Sequence, residues 1–391
     1  MSGEEPPLHR PEGGRGEVAA LFLKLGLIGF GGPAAHIALM RQEAVQRRHW
    51  VSEQQFLDLV GAANLVPGPS STEVAIFLGY IRAGWQGLAL AGAFFILPAM
   101  LIVLAFAWAY ARFGTTPGVA ALLYGIKPVI VAVIFQALWG LGKSAVKTAW
   151  LAGVVLAVFA LYFVGVSPVV LLFGGALLVL AIQNAARLRE MRRSMRLWLL
   201  PGQLLPLAAA ASAGSIPFSL VTLFLTFLKI GAVVFGSGYV LLAFLRADFV
   251  VRLGWLTDRQ LLDAVAVGQF TPGPVFTTAT FIGYLVGSWA GALLATLAIF
   301  LPAFVFVPVV YPLVPRLRAS PWARGFLDGA NASALGLMAA VTWQLGQAAL
   351  VDPLTVALAL LSGVLLIRGR VNSVWLIVAG ALIGLARTRL L

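Results

Sequence analysis

From Ala290 to Val310 the chain carries no charged side chain, and the same holds from Leu88 to Val103 and from Val129 to Leu141. With their flanks, several such windows reach the roughly 20 apolar residues that a helix needs to cross a hydrocarbon core. In lipid only helices and closed barrels satisfy their own backbone N–H and C=O groups. These runs lack the alternation of a barrel strand, so the expectation is an all-α polytopic membrane protein. Composition agrees: of 391 residues 61% are hydrophobic and 10% charged, with a mean hydropathy of +0.96. That leaves too little polar surface to cover a soluble fold.

Several function classes drop out. The chain has no cysteine, which excludes disulfides, thiolate nucleophiles and thiolate metal sites. A three-histidine zinc site would need His9 from the polar N-terminal stretch beside His36 and His49, so neither metal nor cofactor is expected. The net charge of +13 is read as lysine and arginine clustering in cytoplasmic loops, and nucleic acid is not an expected partner. Residues 1–16 have no apolar core of a signal peptide and read as a disordered cytoplasmic tail. An enzyme is not expected, because there is no HExxH motif or paired-Asp motif and Ser70 and Ser71 have no histidine near them in the sequence.

The chain also matches itself. Phe22-Leu23-Lys24-Leu25-Gly26 lines up with Phe227-Leu228-Lys229-Ile230-Gly231, an offset of 227 − 22 = 205. At that offset Arg41 meets Arg246, Arg47 meets Arg252, Trp50 meets Trp255, Asp58 meets Asp263, and Pro67-Gly68-Pro69 meets Pro272-Gly273-Pro274. After a one-residue slip, Gly79-Tyr80 meets Gly283-Tyr284 and Leu97-Pro98-Ala99 meets Leu301-Pro302-Ala303. Two homologous halves of about six helices each are expected, at 17–186 and 217–391.

Between them, 187–216 holds the densest basic stretch, Arg187 to Arg196, which the positive-inside bias assigns to the cytoplasm. It is followed by a moderately apolar stretch, Leu197 to Ala213, that forms an extra span if it crosses. Crossing inverts the second half and gives roughly thirteen spans. It places Arg246, Arg252, Arg316, Arg318, Arg324, Arg368 and Arg370 inside, with Arg41, Arg47 and Arg48 as exceptions outside. Inverted repeats are the construction by which secondary transporters alternate access to one site.

Each half has one segment broken by Pro-Gly-Pro, at Pro67, Gly68 and Pro69 and at Pro272, Gly273 and Pro274. Two prolines around a glycine interrupt a helix and open a new N-terminus. Its free N–H groups and positive dipole end suit an anion. Ser70, Ser71 and Thr72 in the first half, and Thr277 and Thr278 in the second, supply hydroxyls there, and Asn64 and Gln269 stand three residues before each break. A second pair of breaks, Gly31 and Gly32 against Gly236 and Ser237, ends the first segment of each half, while Gly26 and Gly231 read as packing positions. Lys24 and Lys229 are matched cations in apolar sequence, and each either completes an anion site or snorkels to the interface. Arg41 and Arg246 either grip an oxyanion bidentately or face headgroups. Asp58 and Asp263 read as structural. Glu73 has no acidic counterpart and is the candidate for coupling transport to a proton.

Taken together, Phe30-Gly31-Gly32-Pro33, Trp50-Val51-Ser52, Gln55-Phe56, the two Pro-Gly-Pro motifs and Leu97-Pro98-Ala99 resemble the chromate ion transporter family, in its long-chain, two-domain form. The resemblance covers about Leu21 to Met100 and Leu225 to Phe304. It implies a multi-pass protein of the cytoplasmic membrane that exports chromate, a sulfate-like dianion, and confers resistance to it. The residues by themselves reach a small oxyanion. They leave chromate against sulfate, transporter against channel, and proton, sodium or counter-anion coupling open, as they do monomer against homodimer.

Overall fold

A computed structural model describes residues 14–185, 217–235, 238–369 and 371–390. The basic stretch and the possible span at Leu197–Ala213 lie outside them. The described residues are helical, with no strand among them. The first half comprises α1 (Arg15–Ile28), α2 (Gly32–Arg41) running on as a π-helical turn Gln42–Arg47, α3 (Glu53–Ala63), α4 (Ser70–Phe113), α5 (Pro117–Ala145), α6 (Ala149–Phe163) and α7 (Pro168–Gln183). The second comprises α8 (Leu220–Val233), α9 (Leu241–Leu245) with a π-helical turn Arg246–Arg252, α10 (Asp258–Phe270), α11 (Thr278–Val310) after a 3-10 turn Val275–Thr277, α12 (Val314–Ala319), α13 (Pro321–Ala349), α14 (Pro353–Ile367) and α15 (Ser373–Leu390). The two halves repeat each other in order, down to the π-turns, with the 3-10 turns and the short α12 as additions in the second.

The early segments fold as hairpins too short for two full crossings, which departs from the expectation that each of them spans. α1 has 14 residues, about 21 Å at 1.5 Å per residue, against a hydrocarbon core of about 30 Å. It stops at Gly29, and the chain returns along α2. Lys24 at mid-α1 bonds Glu43 in the π-turn, and Trp50 bonds Glu17 at the start of α1. The next pair does the same: α3 runs in, Pro-Gly-Pro turns it, and the first part of α4 runs out to Arg82, which bonds Glu17 and stacks over Trp50. α4 then doubles back at Ala83 and Gly84, where Gly84 takes φ +60. The two limbs press so closely that a Cβ on Gly79 would strike the Gly87 carbonyl. Of α1 to α4, only the limb after Gly84 is long and apolar enough to cross. α8 to α11 repeat this path, with α11 folding back at Gly287 and Ser288 so that Gly283 lies against Gly291.

The halves run in opposite directions. Tyr80, beside the first turnback, stacks with Tyr311 at the far end of α11, Gly92 lies against Phe304, and Tyr110, at the far end of α4, lies 5.2 Å from Phe281 beside the second turnback. The crossing limbs of α4 and α11 are therefore antiparallel and pack on each other. Around this core the halves exchange arms. α5 packs against α14 and α15, and α13 packs against α6 and α7. Glycines make those approaches possible: Gly125 meets Gly380, and Gly329 meets Ala176.

Re-entrance changes which arginines share an end. Arg47, Arg48 and Arg82 lie at one end together with Tyr311 and the α12 residues that follow it. Lys147 and Gln183 both reach Asp328, near the start of α13, at that same end. Arg252 lies at the opposite end, bonded to Thr226 near the Phe218–Trp255 pair. Counting every segment as a crossing had placed Arg47 and Arg48 opposite Arg316, and Arg246 and Arg252 beside it. Both assignments are reversed.

Candidate functional site

The two helix breaks meet at the centre. The Gly68 N–H donates to the Val234 carbonyl at 2.8 Å, and the Gly273 N–H donates to the Gly29 carbonyl at 2.8 Å. These bonds are one another's counterparts under the 205 offset (68 + 205 = 273; 29 + 205 = 234), so each Pro-Gly-Pro is stitched to the glycine break of the other half. Both motif glycines take positive φ, +139 and +89, a region that residues with a Cβ avoid. A Cβ on Gly273 would also lie 2.6 Å from that of Ala99.

The breaks orient several helix starts toward this seam. α2 begins behind Gly31, at φ +98, and Gly32, at φ +78. α4 begins at Ser70, and the 3-10 turn and α11 begin behind Pro274. The first N–H groups of such helices have no partner within the helix. Thr277 and Thr278 spend their hydroxyls on the carbonyls of Pro274 and Val275 and their N–H groups on carbonyls of the same turn, so in the second half the N–H groups of Val275 and Phe276 and the Gln269 amide are what remain to donate. Gln269 accepts from the Tyr239 hydroxyl at 3.2 Å, while its buried Nε2 has no hydrogen-bond partner. Asn64 caps the end of α3 and is exposed. Gly236 and Ser237 lie outside the described residues.

The first half adds two titratable groups that the second lacks. Glu73 is wholly buried, and neither carboxyl oxygen has a hydrogen-bond partner. It lies so close beneath Gly68 that a Cβ there would sit 2.5 Å from Oε1. Thr278 holds the matched position (73 + 205 = 278). His36, matched by Leu241, is also buried. Its Nε2 lies 2.9 Å from the Gly29 carbonyl, which can only accept, and its Nδ1 lies 3.3 Å from Ser71 Oγ. That arrangement puts the ring proton on Nε2 and leaves Nδ1 to accept from the serine hydroxyl. The sequence reading that Ser71 has no histidine nearby is thus corrected: α2 returns alongside the break and brings one thirty-five residues distant in sequence. His36 joins the two broken helices and was missed because nothing in linear spacing pairs it with Ser71.

The matched cations are not bare. Lys24 pairs with Glu43 at 2.8 Å and Lys229 with Asp248 at 2.6 Å, and Arg47 and Arg252 reach the same carboxylates from one turn on. Arg48 adds a third cation to Glu43. Each cluster keeps excess positive charge: three cations against one carboxylate leave +2 in the first half, and two against one leave +1 in the second. Lys24 and Lys229 stay 46% and 40% exposed, midway between a mouth of the molecule and the central seam. Arg41 and Arg246 hold Glu53 and Asp258 at the starts of α3 and α10. Arg246 donates to both carboxyl oxygens, so its bidentate face is already engaged. Gly26 and Gly231 do pack, α1 against the Phe95 carbonyl of α4 and α8 against the Ile299 carbonyl of α11.

A further charge escaped the sequence reading. Lys127 lies in the apolar sequence of α5, buried, 2.9 Å from Asp263. A charge inside a span was the available signal.

Comparison with known proteins agrees with the duplication. The chromate transporter family model matches residues 16–180 and again 221–385, an offset of 205 at both ends. The chain is 35% identical to the chromate transport protein of Cupriavidus metallidurans over 386 residues, 96% of this chain and 94% of that one. It is 33% identical to the chromate transport protein of Pseudomonas aeruginosa over 398 residues, 97% and 92% of the two chains. The probable chromate transport protein of Synechococcus elongatus is 33% identical over 347 residues, 86% of each. No solved structure matches. With both halves matched nearly from end to end, this multi-pass membrane protein belongs to the chromate transporter family.

Proposed function

We propose that this chain is a secondary active transporter that carries chromate out across the cytoplasmic membrane. The observation that supports it most is the reciprocal pair of bonds at Gly68 and Gly273, which gathers broken helices from two opposed halves at one seam. The N–H groups of Ser70 and Ser71 at the start of α4, and of Val275 and Phe276 behind Pro274, have no partner within their own helices and face a tetrahedral dianion there, with the hydroxyls of Ser70 and Thr72 and the amides of Asn64 and Gln269 as side-chain donors. The net-positive clusters around Lys24 and Lys229 draw the anion from either mouth toward the seam. Two halves of opposite direction give each cluster its own side of the membrane, as alternating access requires. Arg41 and Arg246, engaged with their own carboxylates, hold the hairpins together.

Glu73 is the coupling group in this scheme. A lone carboxylate away from water is costly, so a buried Glu73 carries a proton whenever no cation accompanies it. Opening the seam admits water and lets that proton leave. Labelled chromate and sulfate offered to inside-out vesicles, with and without imposed proton or sodium gradients, test the whole reading. Chromate accumulation that follows the pH gradient is expected. Equilibration without accumulation would make the protein a channel, sulfate preferred over chromate would change the cargo, and no flux would leave a scaffold. Sizing of the same preparation distinguishes monomer from homodimer.

A further inference from the structure

At the end carrying Trp255 and Phe218, Lys127 of α5 and Asp263 of α10 form an ion pair at 2.9 Å, with side chains 9% and 1% exposed. The approach to Oδ1 is off the line of a hydrogen bond, since that oxygen has no hydrogen-bond partner. Oδ2 instead accepts from the Tyr110 hydroxyl of α4 at 2.8 Å. Three elements thus meet on one carboxylate, two from the first half and one from the second. Arg259 stands one turn earlier on α10, exposed.

The sequence counterparts of these residues in the other half differ. α5 and α13 align at an offset of 204, with Gly125 on Gly329 and Trp139 on Trp343, so Asn331 occupies the place of Lys127. Val314 stands at the same offset from Tyr110. Asp58, the counterpart of Asp263, is half-buried and accepts from Gln54 on its own helix. Stability alone does not explain the Lys127–Asp263 pair, because a buried ion pair is often no better than an apolar replacement. Ionisable groups inside a membrane segment mark function by default. Lys127 is also followed by Pro128 within the helix, where a missing backbone bond lets the segment bend.

We propose that Lys127, Asp263 and Tyr110 form a charge lock that closes one end of the transport path and parts when that end opens. The lock ties α10, which leads directly into the second Pro-Gly-Pro, to α5 and α4 of the other half. Moving α10 away from α5 would open the route from that end to the seam. All three are positioning residues: they touch one another rather than the cargo. The inference rests on the reading that the paired breaks hold the cargo, and its test is built on accessibility so that the two can fail separately.

The chain has no cysteine, so a single introduced thiol is unambiguous. Ala266 lies on α10 between the lock and Gln269 and is buried. Ala266→Cys, reconstituted in vesicles, is treated from the Trp255 end with a membrane-impermeant sulfonated maleimide. Labelling should be slow in the parent and about tenfold faster with Asp263→Asn or Lys127→Gln, since loss of one partner leaves the other charge buried and uncompensated. The charge swap Lys127→Asp with Asp263→Lys should return it near the parent rate, and Asp58→Asn should leave it unmoved. Tyr110→Phe, which removes one hydroxyl and keeps the ring, should give a smaller acceleration; should the single charge variants fail to fold, this variant and the swap decide. Rates within about twofold of the parent across all folded variants would overturn the lock. Chromate flux in the same vesicles is read separately: accelerated labelling without flux in any variant, parent included, defeats the cargo reading and leaves the lock standing.

Discussion

Gly68 and Gly273 each combine a positive φ with a neighbour where a Cβ would go, Glu73 for one and Ala99 for the other. A methyl group at either position forces strain of about 1–3 kcal/mol on the break, and at Gly273 it also wedges α4 away from the seam. Gly273→Ala is therefore expected to lower the thermal midpoint of the purified protein, and Gly68→Ala to do so less, because a glutamate side chain yields more readily than a packed alanine. Melting curves in detergent check the order. Glu73→Gln keeps the volume and removes the titratable proton. It should preserve membrane abundance and chromate exchange while abolishing the response of chromate accumulation to a pH gradient, as a vesicle assay with and without the gradient would show. An unchanged response would take Glu73 out of the coupling step.

The lysine hairpins belong to the scale of elements. Lys24 and Glu43 are nineteen residues apart and meet because α1 turns back at Gly29, as Lys229 and Asp248 meet because α8 turns back before Tyr239. If both lysines become alanine, Arg47 and Arg48 still neutralise Glu43, and Arg252 still neutralises Asp248. Lys24→Ala together with Lys229→Ala should then leave membrane abundance intact while removing chromate flux, measured as uptake into inside-out vesicles; full flux would show that the clusters only brace the hairpins. A different tie fastens α14 to α5. Asp352 caps α14 and accepts from the Tyr124 hydroxyl, from the Thr355 N–H and from Arg387. Those bonds, Tyr124 foremost, hold its carboxyl at about 2, against an ordinary value of 3.8. A lowered carboxyl stabilises the fold above its ordinary value and loses that contribution as pH falls toward 2. Hydrogen-exchange protection at the start of α14, the observed rate taken relative to the intrinsic rate at each pH, should stay flat from neutral pH down to about 4 and fall below it.

At the scale of the molecule, the duplication, the Pro-Gly-Pro breaks and the packing glycines were legible in the chain, because repeats and helix breakers are local and leave marks in order. What each break does to direction was not. Apolar content reads the same in a helix that crosses and in one that turns back at mid-depth, and only the length of α1 and α3 separates them, which flanking apolar loops conceal. The arginine count went astray for that reason, and Lys127 was passed over because its segment looked like an ordinary span. The corrected topology gathers Arg47, Arg48, Arg82, Lys147, Arg316 and Arg324 at one end, with Arg112, Arg252, Arg259 and Arg387 at the other. The positive-inside bias puts the first group in the cytoplasm, the side also expected for the basic stretch after α7, whose end lies at Asp328. A periplasmic reporter fused after Arg318 should accordingly be silent and one fused after Val351 active. A third, fused after Gly254 in the turn between α9 and α10, discriminates best, because turning back puts that loop outside whereas counting each segment as a crossing puts it inside. Activity after Gly254 supports the re-entrant hairpins, and silence there with activity after Val351 would restore the count of full crossings.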